Sequence, residues 1–243
     1  MLSQLKAMNK DKRRMVMSSL SNLAKYLGVY EQWQQIRRNH GLKWEKRSAL
    51  EAFLSILNSN VNDTTDWIKE VIKVLPKKYA TVVTFTALTG LRPSEACASC
   101  KLITELANKD SLHEYLDSDL MMLQHFKYKQ QFLRGSKNTF ISFISNDLLN
   151  LVLEYKPAMK YTALTSAIRK RNYKIRMKEL RKLYSTTLRN HLPSEVIDLL
   201  QGRIGQSIFM RFYYKPFLQD IRTKTLEGIT PLQKELFSIL QEP

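Results

Sequence analysis

The chain holds only two cysteines among 243 residues, Cys97 and Cys100. A disulfide scaffold is excluded at that count and size. The pair forms a lone C-x-x-C, whereas a structural zinc needs four ligands. The histidines, His40, His113, His125 and His191, lie scattered. No metal and no cofactor is expected, and the two thiols read as small residues of one helix. Seven glycines and seven prolines leave few tight turns, which points to a mainly helical protein. No apolar run reaches about 18 residues and no signal peptide opens the chain, so a membrane partner is not expected. Acidic residues are scarce as well: 22 Asp and Glu face 39 Lys and Arg, a net charge of +17. Such an excess suggests a polyanionic partner, with nucleic acid ahead of anionic lipid, and a cytoplasmic location is the expectation. The 44% hydrophobic content suffices for a packed core.

Residues 1–48 read as a short basic helical segment and residues 49–243 as the main domain, ending in a helix. In the first, Leu20, Leu23, Ala24 and Leu27 have helix-stripe spacing and Gly28 is a stop signal. Trp33, Ile36 and Trp44 add apolar mass there, and Arg37, Arg38 and Lys43 add charge. Asn58 to Asp63 reads as a turn, with Thr64 or Thr65 capping a helix over 66–74. Tyr79 to Leu88 is rich in β-branched residues, but its length and its Thr89-Gly90 ending predict a buried, glycine-capped helix. Pro93 suits the first position of the next helix. Arg92 then occupies the tight corner between two helices, with Glu95 one turn on to orient it. A guanidinium held in that way can grip two phosphate oxygens.

Residues 102–120 read as an irregular insertion. Gln131–Arg134 and Thr139–Ile144 flank Gly135-Ser136-Lys137-Asn138, a β-hairpin pattern with Lys137 on its turn. Leu148 to Glu154 reads as a short helix, and Thr230-Pro231 opens a tail helix with Leu232, Leu236 and Leu240 on one face.

The densest positive field runs from 169 to 182: Arg169, Lys170, Arg171, Lys174, Arg176, Lys178, Arg181 and Lys182 against Glu179 alone. With Arg134 it forms the candidate DNA-binding surface. A helix over 177–190 would place 178, 181 and 182 on one face. Leu180, Leu183, Tyr184 and Thr187 would turn towards a core, so a cationic wall would stand on a rigid backing. Pro193-Ser194-Glu195 starts a further helix, Gln201 to Gly205 is a turn, and Tyr213 and Tyr214 follow.

Four of these stretches together resemble the tyrosine recombinases, the phage-integrase family. Thr89-Gly90-Leu91-Arg92-Pro93-Ser94-Glu95-Ala96 looks like their first arginine box, and Lys137 looks like their β-hairpin lysine. Lys178-Glu179-Leu180-Arg181-Lys182 resembles their second box, normally His-x-Leu-Arg-His. Leu200-Gln201-Gly202-Arg203 resembles the Leu-Gly-His box, ahead of a tyrosine. The order holds over residues 50–220, and the wording is most similar to integrases of archaeal spindle-shaped viruses and related plasmids. Lys178 and Arg203 stand where relatives carry histidines; both keep a positive charge, but arginine cannot act as a base near neutral pH.

The resemblance implies a mainly α catalytic domain with a small antiparallel β-hairpin or sheet, preceded by the short helical segment. It implies a site-specific recombinase that cuts and rejoins double-stranded DNA at attachment sites, as a tetrameric synapse, without metal or nucleotide. Tyr213, or alternatively Tyr214, would attack phosphorus, leaving a 3′-phosphotyrosyl link and a free 5′-hydroxyl. Arg92 and Arg181 would hold the non-bridging oxygens, and Lys137 would protonate the leaving oxygen, with Lys127 and Lys129 as runners-up. Lys178 and Arg203 would add charge. Rival readings are a non-catalytic basic DNA-binding protein, such as a repressor or decayed integrase, and a type IB topoisomerase-like enzyme.

Overall fold

The computed structural model describes residues 2–44, 48–58, 61–135, 137–204, 215 and 217–241. The chain divides into two compact units, residues 1–59 and 60–243. The first takes in the helix Ala49–Leu57, which the expected division at residue 48 had assigned to the main domain.

The first unit contains α1 (Leu2–Ala7), α2 (Lys10–Tyr26), α3 (Tyr30–Asn39) and α4 (Ala49–Leu57). Asn9 caps α2, and Gly28 ends its exit turn at φ +73°. The buried stripe of α2 is Met17, Ser21 and Ala24, whereas Leu23 and Leu27 of the expected stripe are exposed. Trp33 sets this rotation, because its indole donates a 2.8 Å hydrogen bond to Ser21 Oγ within a small core of Leu5, Met17, Ala24 and Leu42. A Ser48–Glu51 capping box starts α4, and Lys10 pairs with Glu51 at 2.9 Å.

The second unit is mainly α with small antiparallel sheets, as expected. Its order is α5 (Val61–Val74), α6 (Lys77–Thr89), α7 (Pro93–Ala107), β1 (Leu116–Asp117), β2 (Met122–Leu123), α8 (Lys129–Phe132), β3 (Leu133–Arg134), β4 (Lys137–Asn138), β5 (Ser142–Phe143), α9 (Asn146–Tyr155), α10 (Tyr161–Arg169), α11 (Glu179–Leu188), α12 (Ser194–Leu200) and α13 (Leu218–Gln241). The central element is α6, buried from Ala80 to Thr89 and packed against α5, α7, α9, α11 and α13. Its β-branched residues are held in a helix by burial against those five neighbours, and most of its buried hydroxyls are satisfied by the helix backbone. Thr81, Thr86 and Thr89 each donate to the carbonyl four residues back. Gly90 closes α6 in the left-handed conformation, φ +64°, and Pro93 stands in the first turn of α7.

Several expectations need correction. Helix α5 begins at Val61, before the threonines expected to cap it. Helix α7 runs on to Ala107, because Leu102, Ile103 and Leu106 continue its buried face; the irregular stretch is therefore shorter. The hairpin is narrower: β3 pairs with β4, Arg134 opposite Lys137, so Lys137 lies on a strand rather than on the turn. Gln131 and Phe132 instead belong to α8, whose Phe132 is buried near Tyr115 and His125. Ser142 and Phe143 pair with β2, giving a three-stranded sheet in the order β1-β2-β5. The tail helix starts at Leu218 and runs through Pro231, which removes one intrahelical donor. Burial of Ile229, Leu232 and Leu236, in a helix packed on α5, α6 and α11, keeps the chain helical through that gap. No helix among the described residues is long and apolar enough to cross a membrane.

Cys97 and Cys100 both lie buried and free on α7, and burial pushes the Cys97 thiol up to about 11. Beneath the sheet, Tyr115 Oη lies 2.6 Å from His125 Nδ1 and 2.9 Å from Ser99 Oγ, and His125 Nε2 lies 2.9 Å from Ser142 Oγ.

Two predictions follow from this packing. A Cβ on Gly90 would come within 2.2 Å of the Tyr184 ring. Gly90→Ala should therefore cost on the order of 2–5 kcal/mol in urea denaturation, left-handed strain plus overpacking. Gly135→Ala, also left-handed but with nothing within 4 Å, should cost only about 1–2 kcal/mol. Burial also pushes the His125 imidazole down to about 3. The unfolded chain takes up that proton near pH ~6.5, so this contribution to stability is intact above that pH and is lost as pH falls towards 3. The loss is on the order of 4 kcal/mol across the window. In melting curves recorded against pH, His125→Gln should flatten the acid decline.

Candidate active site

The corner between α6 and α7 places Arg92 directly before Pro93, where no helical hydrogen bond constrains its side chain. Glu95, one turn into α7, is buried. Its Oε1 accepts from Arg92 Nη1 at 2.9 Å and from Arg134 Nη2 at 3.2 Å. Its Oε2 accepts from the Arg92 backbone N–H at 3.1 Å and from Thr139 Oγ1 at 2.9 Å. One carboxylate thus ties the arginine corner to the hairpin. Arg92 Nη1 also donates to the Asn138 carbonyl at 3.2 Å. Arg92 Nε and Nη2 have no partner among the described residues, which leaves an edge of the guanidinium for an anion.

Arg181 reaches the same place from α11. Its Nη2 donates to the Gln201 carbonyl. The Gln201 side chain answers by donating to the Arg181 carbonyl at 2.9 Å and to Ser185 Oγ, so the turn after α12 is strapped to α11. Arg181 Nη1 is buried and has no hydrogen-bond partner among the described residues. Burial first, then the nearby guanidinium groups of Arg92 and Arg203, push Arg181 down to about 10, partly offset by Glu95 and Asp198. It therefore stays charged at neutral pH, within a field that disfavours that charge.

Arg92, Lys178, Arg181 and Arg203 line one cleft of about 420 Å³, together with Pro93, Ser94 and Tyr161. Three helix starts contribute: Pro93 and Ser94 open α7, Tyr161 opens α10, and Lys178 is the residue before α11. The positive ends of these helix dipoles add to the side-chain charge. The cleft is built to hold anionic oxygen.

Two glycines permit this convergence. Gly90 lies against the Tyr184 ring, which seats the Arg92 corner on α11. Gly202, at φ +71°, lies so close to the hairpin that a Cβ would fall 1.8 Å from the Asn138 carbonyl oxygen. Arg203, which pairs with Asp198 at 3.1 Å, follows directly.

The structure thus brings together Arg92, Arg181, Lys178 and Arg203. The Lys137 backbone lies on β4 beside Asn138, while its side chain lies outside the described residues, as do Tyr213 and Tyr214. The expected three-cation face of α11 divides. The helix starts at Glu179; Lys178 and Arg181 line the cleft, and exposed Lys182 pairs with Glu179 at 2.7 Å. The dense basic segment divides as well. Arg171 donates to the Val74 and Ala167 carbonyls, and Arg176 to the Asp63 carbonyl, so both brace the fold. Arg169, Lys170 and Lys174 are exposed, and Arg134 is half-exposed beside Glu95. Sequence reading missed Thr139, Gln201 and Tyr161; the glycine next to Arg203 was the one local sign of a close approach.

A family model described as archaeal phage integrase matches residues 58–220. No curated protein and no solved structure matches the chain.

Glu95→Gln should destabilise the second unit by on the order of 3 kcal/mol, because it leaves two arginines against a neutral, buried amide. Chemical denaturation checks this. Arg134→Ala, which removes the more exposed of the two guanidinium partners, should cost markedly less.

Proposed function

Because the chain belongs to the archaeal phage integrase family, we propose that its cleft grips a DNA phosphodiester and that a tyrosine from the segment after Arg203 cleaves it. The supporting observation is the buried Nη1 of Arg181, unpartnered among the described residues, in a cleft shared with three other cations. An unpaired buried donor on a charged group is costly. A non-bridging phosphate oxygen supplies the missing acceptor and relieves the repulsion among the guanidinium groups.

In this reading the Tyr213 phenolate attacks phosphorus in line. The bond from phosphorus to the 5′-oxygen breaks as the tyrosine–phosphorus bond forms, and Lys137 gives its proton to the departing oxygen. The product is a 3′-phosphotyrosyl link and a free 5′-hydroxyl. A 5′-hydroxyl from a second strand reverses the step, so no nucleotide or metal is consumed. Arg92 and Arg181 stabilise charge on the phosphorane oxygens, and Lys178 and Arg203 add to the field. Arg169, Lys170, Lys174 and Lys182 extend the positive surface along the duplex, and Arg134 adds charge beside the clamp. Recombination between two attachment sites requires several protomers on DNA, in the compartment that holds the DNA.

Incubation with a nicked, labelled duplex library should yield a denaturation-resistant adduct. Tyr213→Phe should abolish it with binding nearly intact. If Tyr214→Phe does so instead, the nucleophile is Tyr214; if neither matters, the protein is a basic DNA-binding protein without this activity. Arg92→Ala and Arg181→Ala should each slow adduct formation by on the order of 10²-fold, and affinity should change far less because many cations share the contact. Relaxation of single-site DNA without synapsis would favour the topoisomerase-like alternative.

A further inference from the structure

We infer that Tyr161 binds the DNA backbone in this cleft, its hydroxyl donating to a phosphate that flanks the attacked one; the inference rests on the cleft being a DNA site. Tyr161 shares the cleft wall with Ser94, Lys178 and Arg181. It is the first residue of α10, and its ring packs against the main hydrophobic core. The ring is therefore held, while its hydroxyl has no hydrogen-bond partner among the described residues. By contrast, the buried Tyr115 hydroxyl of the same unit is held by Ser99 and His125. A held phenol with a free polar tip, facing four cations, suits an oxygen-rich anion.

The chemistry separates Tyr161 from a nucleophile. Burial raises its pKa, with Arg169 only partly opposing this, so the phenol keeps its proton at neutral pH. A protonated phenol is a donor with no net charge. It adds direction to phosphate binding without adding to the repulsion that already lowers Arg181. A fifth cation at this place would worsen that repulsion.

The test compares wild type with Tyr161→Phe and Lys178→Ala, using the full chain and a fluorescein-labelled random-sequence duplex. Affinity is read by anisotropy across a salt series, well below every melting temperature. Loss of one neutral donor should weaken binding roughly 2- to 10-fold at fixed salt. It should leave the slope of log affinity against log salt unchanged, because a neutral group releases no counterion. Lys178→Ala should lower that slope by about one. The inference is overturned if Tyr161→Phe binds like wild type, or if its salt slope falls as the lysine variant's does. It is also overturned if mass spectrometry of a trapped adduct finds DNA on Tyr161. A wild-type protein that binds this duplex but never forms an adduct sinks the strand-transfer reading, and the Tyr161 comparison still stands.

Discussion

The buried Glu95 carboxylate is the constraint on which the site depends. A charge removed from water costs several kcal/mol unless its oxygens are bonded, and here both oxygens are. Oε1 meets Arg92 and Arg134; Oε2 meets the Arg92 amide and Thr139. These donors come from the residue before α7, from β3 and from the residue after β4. Satisfying the carboxylate therefore fixes the arginine corner relative to the hairpin. The same bonds occupy Arg92 Nη1 and leave its other nitrogens facing outward. Stability and readiness for an anion arise from one set of contacts.

The second constraint is steric. Four cations can share a cleft of about 420 Å³ only if their backbones approach closely. Gly90 lets the Arg92 corner rest on Tyr184 of α11, and Gly202 lets the Arg203 turn touch the hairpin at Asn138. Asn138 in turn accepts from Arg92. The hairpin is thus gripped between the first arginine and the turn that follows α12, with the Lys137 backbone immediately beside that junction.

How much of this could be read in the chain depends on how local each signal is. The Gly90 cap, Pro93 at a helix start and the Arg92–Glu95 pairing are set within six residues and were legible. The positions of Lys178, Arg181 and Arg203 followed from short patterns. The partners of Glu95 were not legible, because Arg134 and Thr139 lie 39 and 44 residues away and only the fold selects them. Charge counting also could not tell Arg171 and Arg176, which bond to distant carbonyls, from Arg169 and Lys170, which face solvent. The hairpin register failed for a packing reason: buried Phe132 closes a helical turn and takes two residues from the expected strand. At Pro231, tertiary burial overruled a local start signal: the helix already runs from Leu218.

The resemblance places Lys178 and Arg203 where relatives carry histidines, and that difference has an electrostatic consequence. A histidine near its ordinary pKa of about 6.5 charges and discharges around neutrality, whereas lysine and arginine stay charged there. The cleft therefore carries its full positive field throughout the neutral range. Keeping that field means holding guanidinium groups close together, and after burial the repulsion from Arg92 and Arg203 is the next cause of the lowered pKa of Arg181. Glu95 and Asp198 offset only part of it. In the proposed reaction an arriving phosphodiester supplies the remaining negative charge, and a pentacovalent phosphorane supplies more. A site whose cations are forced together before the ligand arrives gains most when negative charge is greatest, and this is the condition for stabilising a transition state over a ground state.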